Sequence, residues 1–283
     1  EPISEEEEMK ALKDDILRPG CSAMQVTVKK SGKVEFDSSV VNHTLTKLIT
    51  STLETHPYEH MIIEEYFEPT FYQCVLAHLS PGPAMGRVTP ASDESPFRYS
   101  VDIQRPGRLG PTAEGAATAS INRLFWRAFV KAFASDEIAL LWVTKFRRST
   151  EPRLAINQIP GPWEEEKFFK ADDGGTIVTA TNFTYAMDVT RDLAGFEMVP
   201  HTDSGNRWVS TLIYLPRSSD RLDAGTSLVR SGSGHTSRGG SGPTPWKDGA
   251  FEVTKNVDYK PNTVLAFAPC DASWHAVKEY HHP

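Results

Sequence analysis

The chain has 283 residues, a net charge of −7 and 39% hydrophobic side chains, enough apolar material for a sizeable core. The acidic balance and the lack of a basic stripe argue against nucleic acid or an anionic membrane surface as partners. No apolar run approaches the ~20 residues that a membrane-spanning helix needs, so we expect no membrane partner.

Three cysteines, Cys21, Cys74 and Cys270, are widely spaced and odd in number. They form neither a CxxC zinc pattern nor a disulfide framework, so we expect reduced, small core residues. The acidic start "EPISEEEEMKALKDD" resembles neither a signal nor a transit peptide. Together these features predict an intracellular, cytoplasmic protein, although they leave open whether a targeting segment has been removed.

The first 36 residues predict a helix followed by a hairpin. Ser4 and Glu7 form a capping-box pattern for a helix over 3–18, and Pro19 ends it. The segment "MQVTVKKSGKVEF" (24–36) alternates apolar and polar residues on both sides of a Ser-Gly pair, which is typical of a β-hairpin.

The next hundred residues predict helices around a long irregular region. Residues 43–55 predict a helix, and "HMIIEEYFEPTFYQCVLAHL" predicts a short strand and then a helix that begins at Pro69. Residues 80–117 are rich in Pro, Gly and Ser and predict long loops. Residues 118–135, which include "ASINRLFWRAFVKAFAS", carry apolar side chains at helical spacing and predict a buttressing helix with one buried face.

After residue 138 the pattern changes to short strands separated by Gly, Pro, Asp and Asn, which favours an antiparallel barrel or jelly roll. The predicted strands lie in "IALLWVTKF", "GTIVTATNFTYAMDV", "FEMVPHTD", "WVSTLIYLP", "GTSLVRS" and "NTVLAFAPCDASWHAV". Residues 230–245 are rich in Gly and Ser and predict a loop that is either a functional lid or disordered.

The predicted fold class is therefore α+β with a mainly β core, a jelly roll flanked by N-terminal helices. We expect one domain over 1–283, in which 1–137 form a helical and mixed support region and 138–283 form the jelly-roll core.

One polar pattern stands out at a strand end. His201 and Asp203 follow the apolar "FEMV" and precede "WVSTLIYL", at a rim between two strands. His275 follows the apolar "TVLAFAPCDASW" much later in the chain. Strands distant in sequence become neighbours in a jelly roll, so His275 can face the other two. A lone His-x-Asp is also common in surface turns, but its position between two strands and the later His275 favour a metal site.

Two neutral imidazoles and one carboxylate form the facial triad of non-haem Fe(II) oxygenases, which leaves positions open for a co-substrate and O₂. The same three ligands with one water also suit tetrahedral zinc. Ligand identity alone leaves both metals open.

The segments "PHTDSGNRWVSTLIYLP", "AGTSLVRS" and "YKPNTVLAFAPCDASWHAV" resemble the Fe(II)- and 2-oxoglutarate-dependent dioxygenase superfamily, in its prolyl-4-hydroxylase-like branch. The similarity covers roughly 175–283; "MIIEEYFEPTFYQCVLAHL" resembles the family's first strand and helix less specifically. The resemblance implies a double-stranded β-helix, catalytic iron ligands at His201, Asp203 and His275, and Fe(II), 2-oxoglutarate and O₂ as cofactors. Halogenases of the superfamily lack the carboxylate, so by the resemblance Asp203 implies oxygenation or another oxidative outcome and not halogenation.

The resemblance also implies a basic residue, usually Arg, shortly after the second histidine to bind the distal carboxylate of 2-oxoglutarate. That position would fall past residue 283. We expect Arg191 to replace it, and Arg207 as the second choice, because a guanidinium binds a carboxylate bidentately. Tyr185, at the strand parity of a tyrosine in many relatives, and Thr226 are the other expected contacts with 2-oxoglutarate.

Three further residues are expected to contact the substrate: Arg207, His235 and Trp274. The loop 230–245 is the expected lid. The histidines of the helical half have no ligand spacing and are expected to be surface or core residues: His43, His56, His60 and His78.

The expected activity is C–H oxidation, by hydroxylation, desaturation or oxidative cyclisation, of a small metabolite such as an amino-acid derivative. A peptidyl-prolyl or other protein hydroxylase of the same superfamily is the first alternative. A zinc- or manganese-dependent jelly-roll hydrolase or isomerase is the second, and its activity would not depend on 2-oxoglutarate. In a non-catalytic binding module, the third alternative, the three side chains would not converge.

Overall fold

The computed structural model describes residues 5–79, 98–103, 123–150, 187–192, 195–203, 207–218, 220–232 and 250–278. These residues form a mixed α and β structure with antiparallel sheets. The chain divides into two compact units, each of which draws residues from both sides of position 137. The first unit comprises Glu1–Thr46, Glu65–Ser135 and Tyr185–Leu193; the second comprises Lys47–Glu64, Asp136–Thr184 and Ala194–Pro283.

The described helices are α1 (Glu5–Ile16), α2 (Ser38–Thr50), α3 (Pro69–Ala77), α4 (Arg123–Phe133) and α5 (Asp136–Lys145). The described strands are β1 (Val26–Val28), β2 (Val34–Phe36), β3 (His60–Glu64), β4 (Arg98–Asp102), β5 (Asp188–Asp192), β6 (Met198–His201), β7 (Ser210–Tyr214), β8 (Thr226–Ser231), β9 (Phe251–Val257), β10 (Thr263–Phe267) and β11 (His275–Val277). The longest described helix, α2, has 13 residues. No described helix is both long enough and apolar enough to cross a bilayer.

Local sequence signals set the N-terminal elements of the chain. Helix α1 and the antiparallel hairpin β1–β2 lie where they were predicted. Helix α2 begins earlier than expected because the carboxylate of Asp37 accepts a hydrogen bond from the Ser39 backbone N–H at 2.9 Å. Helix α3 begins at Pro69, as predicted, and the Glu68 side chain caps it by accepting from the Phe71 N–H at 2.8 Å.

A cluster of phenylalanines forms the core of the first unit. The ring centroids of Phe67 and Phe133 lie 4.9 Å apart, and those of Phe129 and Phe133 lie 4.8 Å apart, in tilted or edge-on arrangements that suit aromatic pairs. The rings of Phe36 and Phe71 meet at 4.9 Å, which ties the hairpin and α3 to this cluster. The predicted apolar face of α4 is therefore confirmed as a core face.

The segment "IALLWVTKF" was predicted as a strand, and this prediction is wrong because the segment forms most of α5. Residues 138–143 are all apolar and five of them are buried, so the sequence shows no helical alternation of apolar and polar residues. Asp136 and Glu137 in the first turn favour a helix N-terminus, because a carboxylate there interacts well with the helix dipole.

Strand β4 corrects the prediction that 80–117 consists of long loops. It pairs with β5 in antiparallel register, and the Arg98 guanidinium donates to both carboxylate oxygens of Asp192, at 2.6 and 2.8 Å. This pairing joins residues about ninety positions apart, so no local sequence pattern predicts it. The rest of the predicted loop region lies outside the described residues.

Two antiparallel sheets form the β structure of the second unit, in the orders β3-β10-β7 and β6-β11-β8-β9. Side chains from both sheets share one buried cluster: Tyr58, Tyr214, Leu228, Val257, Leu265 and Phe267. Strand β9 was not predicted. It lies against β8, and Gly225 just before β8 allows this approach because a Cβ there would lie 1.7 Å from the Val257 carbonyl oxygen.

The cysteines also correct a prediction, because Cys21 and Cys74 form a disulfide. Gly20 adopts a positive φ of 101°, and a Cβ at this position would lie 3.2 Å from the carbonyl oxygen of Gln73. This close approach brings Cys21 to Cys74 on α3. Disulfides are typical of oxidising compartments, so the cysteines no longer support a reducing one. Cys270 is a free thiol.

Candidate metal centre

Two neighbouring strands bring the three predicted ligands together. Strands β6 and β11 pair in antiparallel register with His275 directly opposite His201, and their ring centroids lie 4.2 Å apart. Asp203 follows His201 by two residues, just beyond the end of β6. One potential ligand atom from each of the three residues lies within 4.8 Å of the other two.

Both imidazoles are oriented by backbone carbonyls two residues earlier. The Nδ1 atom of His201 lies 2.9 Å from the Val199 oxygen, and that of His275 lies 3.0 Å from the Ser273 oxygen. A carbonyl can only accept a hydrogen bond, so each Nδ1 carries a proton, and in the neutral ring the lone pair lies on Nε2. Metal-binding histidines are held in this way, with the other ring nitrogen donating to a carbonyl or carboxylate.

The carboxylate of Asp203 is held by two donors. The Arg207 guanidinium donates to Oδ1 at 3.0 Å, and the Ser210 hydroxyl donates to Oδ2. Burial opposes ionisation of Asp203, but His275, the Ser210 hydrogen bond and Arg207 together lower its pKa below the usual value. Asp203 is therefore ionised at neutral pH, and each oxygen retains a lone pair that a cation could use.

Burial keeps His275 neutral. Its side chain is 5% exposed, and burial, with His201 as the second cause, lowers its pKa to about 4. A neutral imidazole offers its lone pair to a metal without first losing a proton.

This donor set fits a divalent transition metal. Two imidazole nitrogens and one carboxylate oxygen are the ligands of Fe(II) in facial-triad sites and also suit zinc. Three protein ligands leave coordination positions open on either metal, which is the arrangement of a catalytic site and not of a closed structural one. The group can therefore hold a metal and still bind a further ligand.

The other predicted contacts are distributed unevenly. Arg207 lies at the group, with 60% of its side chain exposed beside the carboxylate. Thr226 is buried on β8, and its hydroxyl accepts from Tyr214 at 2.7 Å. Arg191 lies on β5 of the first unit, opposite Tyr99 on β4.

Trp274 is 3% exposed and packs against the ring of Phe251, with the centroids 5.0 Å apart. Its position suits the support of the neighbouring His275 as well as contact with a substrate. Tyr185, His235 and residues 233–245 of the predicted lid lie outside the described residues.

Sequence reasoning missed Tyr58, a buried residue just before β3. Its hydroxyl has no hydrogen-bond partner among the described residues. Burial, followed by Cys270 and Asp203, raises its pKa well above the usual value, so the hydroxyl stays protonated within electrostatic range of Asp203. Its ring lies 6.0 Å from that of Phe267, whose ring lies 4.6 Å from His275. No spacing links Tyr58 to the motif, because only the pairing of β3 with β10 brings it there.

Ser210 was missed as well, although it begins the strand after the His-x-Asp motif. A small hydroxyl residue at that point is a weak signal on its own, since serine is common at strand ends.

Comparison with known proteins adds no assignment: no family model, curated protein or solved structure matches this chain.

Proposed function

We propose that this protein is an Fe(II)- and 2-oxoglutarate-dependent oxygenase that oxidises a C–H bond of a small metabolite, such as an amino-acid derivative. The observation that carries the proposal is the convergence of His201, Asp203 and His275, with each histidine Nδ1 held by a backbone carbonyl. Facial-triad iron oxygenases use this set of ligands.

The finer fold assignment belongs to the same proposal. Two antiparallel sheets share one buried cluster in the second unit, and the two ligand-bearing strands are neighbours in the four-stranded sheet. A double-stranded β-helix has two such sheets and holds its metal at one end of them. We therefore assign the second unit to a jelly-roll core.

Each ligand residue has a defined task. Iron, when bound, would supply the activation of O₂ with 2-oxoglutarate as the source of two electrons. His201 and His275 would hold it through nitrogens whose direction the backbone fixes. Asp203 would supply the negative charge, oriented by Ser210 and Arg207.

Two further groups are available to the organic ligands. Arg207 is a half-exposed cation beside the centre and suits a carboxylate of 2-oxoglutarate or of the substrate. The Tyr58 hydroxyl is a buried donor without a protein acceptor among the described residues, so a bound ligand oxygen would satisfy it. Both features favour a small acidic ligand.

The test is conversion of 2-oxoglutarate to succinate in air by protein loaded in turn with Fe(II), Zn(II) and Mn(II). The proposal expects iron-dependent succinate, lost in Asp203→Ala and retained in a Glu252→Ala control, whose carboxylate pairs with Arg230 on the surface. Activity with Zn(II) or Mn(II) but not with Fe(II), or turnover that does not depend on 2-oxoglutarate, would support the hydrolase or isomerase instead. Screening amino acids against prolyl peptides would then separate a metabolite oxygenase from a protein hydroxylase.

A further inference from the structure

The first unit contains a second group of metal-binding side chains. Cys74 and His78 lie four residues apart at the end of α3, so they occupy the same face of the helix one turn apart. The tight approach of Gly20 to Gln73 places Cys21 beside them. A ring nitrogen of His78 and the two sulfurs lie within 4.8 Å of one another.

The imidazole of His78 has the orientation of a metal ligand. Its Nε2 lies 2.9 Å from the Ile16 carbonyl oxygen and must donate to it, so Nδ1 carries the lone pair. The residue is 1% exposed, its ring stacks on Phe125 at 3.7 Å, and Nδ1 has no partner among the described residues. A buried lone pair without a donor costs free energy, so an occupant of this position would stabilise the fold.

The charges around the group suit a cation held by thiolates. Burial lowers the pKa of His78 to about 4, opposed by the hydrogen bond to Ile16 and assisted by Arg18, so the imidazole is neutral at physiological pH. The Arg18 guanidinium donates to the Ala77 carbonyl at 3.3 Å. Helix α3 ends at this group, where the helix dipole favours positive charge.

We propose that Cys21, Cys74 and His78 form a zinc site when their disulfide is reduced, so that zinc and the disulfide are alternative states of one group. Zinc prefers thiolate and imidazole ligands, and water would complete the tetrahedron. Two thiolates cancel the charge of one Zn²⁺, which leaves a neutral site that suits its burial.

The exchange balances with a dithiol as reductant. The dithiol passes two electrons and two protons to the Cys21–Cys74 disulfide and becomes a disulfide itself, which gives two protein thiols. Binding of Zn²⁺ then releases those two protons to solvent as both sulfurs become thiolates. In the reverse direction a small-molecule disulfide accepts two electrons from the two thiolates and two protons from solvent, becomes a dithiol, and leaves the Cys21–Cys74 bond re-formed and Zn²⁺ released. Occupancy of the site therefore reports the redox state.

The test uses the full chain with the substitutions His201→Ala and His275→Ala, which silence the other centre. The protein is reduced with a phosphine, the phosphine is removed, and Co(II) is titrated anaerobically. We expect one Co(II) per chain, with sulfur-to-cobalt absorption that Zn(II) abolishes by displacement. The untreated disulfide form should bind none.

Matched variants separate the three ligands. Cys21→Ser leaves only the Cys74 sulfur, so the sulfur-to-cobalt absorption should fall below that of the two-thiolate site. His78→Asn should weaken Co(II) binding at least about tenfold, the loss already seen for groups that only orient a ligand. Cys270→Ser should change nothing, because Cys270 is not part of the group.

Circular dichroism on each sample guards against misfolding. Lack of sulfur-to-cobalt absorption in the reduced chain, whether it is folded or unfolded, would overturn the proposal. The same absorption at full strength in Cys21→Ser, or its loss in Cys270→Ser, would overturn it too.

Discussion

In both histidine groups a hydrogen bond to a backbone carbonyl orients the imidazole, but the sequence separation between the histidine and that carbonyl differs. In the second unit, His201 and His275 each donate Nδ1–H to a carbonyl two residues earlier, a contact between close neighbours in the sequence. In the first unit, His78 donates Nε2–H to Ile16, 62 residues away. A short sequence motif can therefore indicate the group of His201 and His275, whereas only the folded chain reveals the group of His78.

The groups differ most in the softness of their remaining ligands. Asp203 offers a hard carboxylate oxygen, whereas Cys21 and Cys74 offer soft sulfur. Carboxylate with imidazole suits iron in an open site, and thiolate with imidazole suits zinc. The comparison therefore predicts two different metals, iron at the carboxylate-containing centre and zinc at the redox-dependent thiolate group.

The largest expected effect is the loss of iron binding when a predicted metal ligand is removed, with substitution of a matched histidine outside the group as the control. His60 is buried in the same unit and also places Nδ1 2.9 Å from a carbonyl two residues earlier, that of Tyr58, but it is not in the triad. His275→Ala should lower Fe(II) affinity by more than the ~10–100-fold that loss of a merely orienting partner costs. His60→Ala should retain iron binding. Anaerobic equilibrium dialysis measures both, and equal losses would contradict the assignment.

Acid should destabilise the protein because both groups bury neutral imidazoles. His78 and His275 have pKa values of about 4 in the folded chain, below the ~6.5 of an unfolded one. The unfolded chain therefore binds more protons between these values, so stability is full above pH ~6.5 and falls as pH drops towards 4. The total loss should reach a few kcal/mol, since each pKa unit corresponds to ~1.4 kcal/mol.

Urea unfolding between pH 7 and 5 measures this slope before most carboxylates titrate. The variant His78→Gln should show a shallower slope than the unmodified protein. An unchanged slope would mean that His78 is not held neutral by its surroundings.

A smaller effect should follow loss of the groups that orient Asp203. Ser210 is 7% exposed, so Ser210→Ala should weaken Fe(II) binding ~10–100-fold, the usual cost of losing such a partner. Arg207→Ala should weaken it less, because a 60% exposed guanidinium interacts through solvent-screened charge. Calorimetric titration with Fe(II) compares the two variants. The reverse order would show that charge, and not orientation, is the main contribution.

The smallest expected effect concerns Tyr58. Removing its hydroxyl in Tyr58→Phe should weaken 2-oxoglutarate binding ~10-fold, the value of one hydrogen bond to a charged group. Thermal stability should stay equal or rise, because the hydroxyl has no acceptor among the described residues. A lower melting temperature with unchanged binding would assign Tyr58 a structural role instead.

The sequence predicts the elements whose signals are local. The hairpin β1–β2 has its turn pair, α3 has Pro69 at its first turn, and α4 has helical periodicity. The prediction fails at α5, which is buried too completely to show periodicity. It fails at β4 because that strand depends on a partner far along the chain.

The same distinction applies to the two sites. His201 and Asp203 could be recognised because one strand end carries both, and His275 because it follows another apolar strand. The Cys21–Cys74 bond joins residues 53 positions apart without any spacing rule, and Tyr58 reaches the centre only through sheet pairing. Contacts created by tertiary structure leave no pattern in a single sequence.

The most direct test of the central claim is anaerobic titration of the Fe(II)-loaded protein with 2-oxoglutarate, followed by visible absorption. Chelation of the iron by the co-substrate should produce a weak charge-transfer band that saturates with one 2-oxoglutarate per iron. The same titration of His201→Ala should show no band. A protein that binds no iron, or that binds iron at these residues without developing the band, would contradict the assignment as a 2-oxoglutarate-dependent oxygenase.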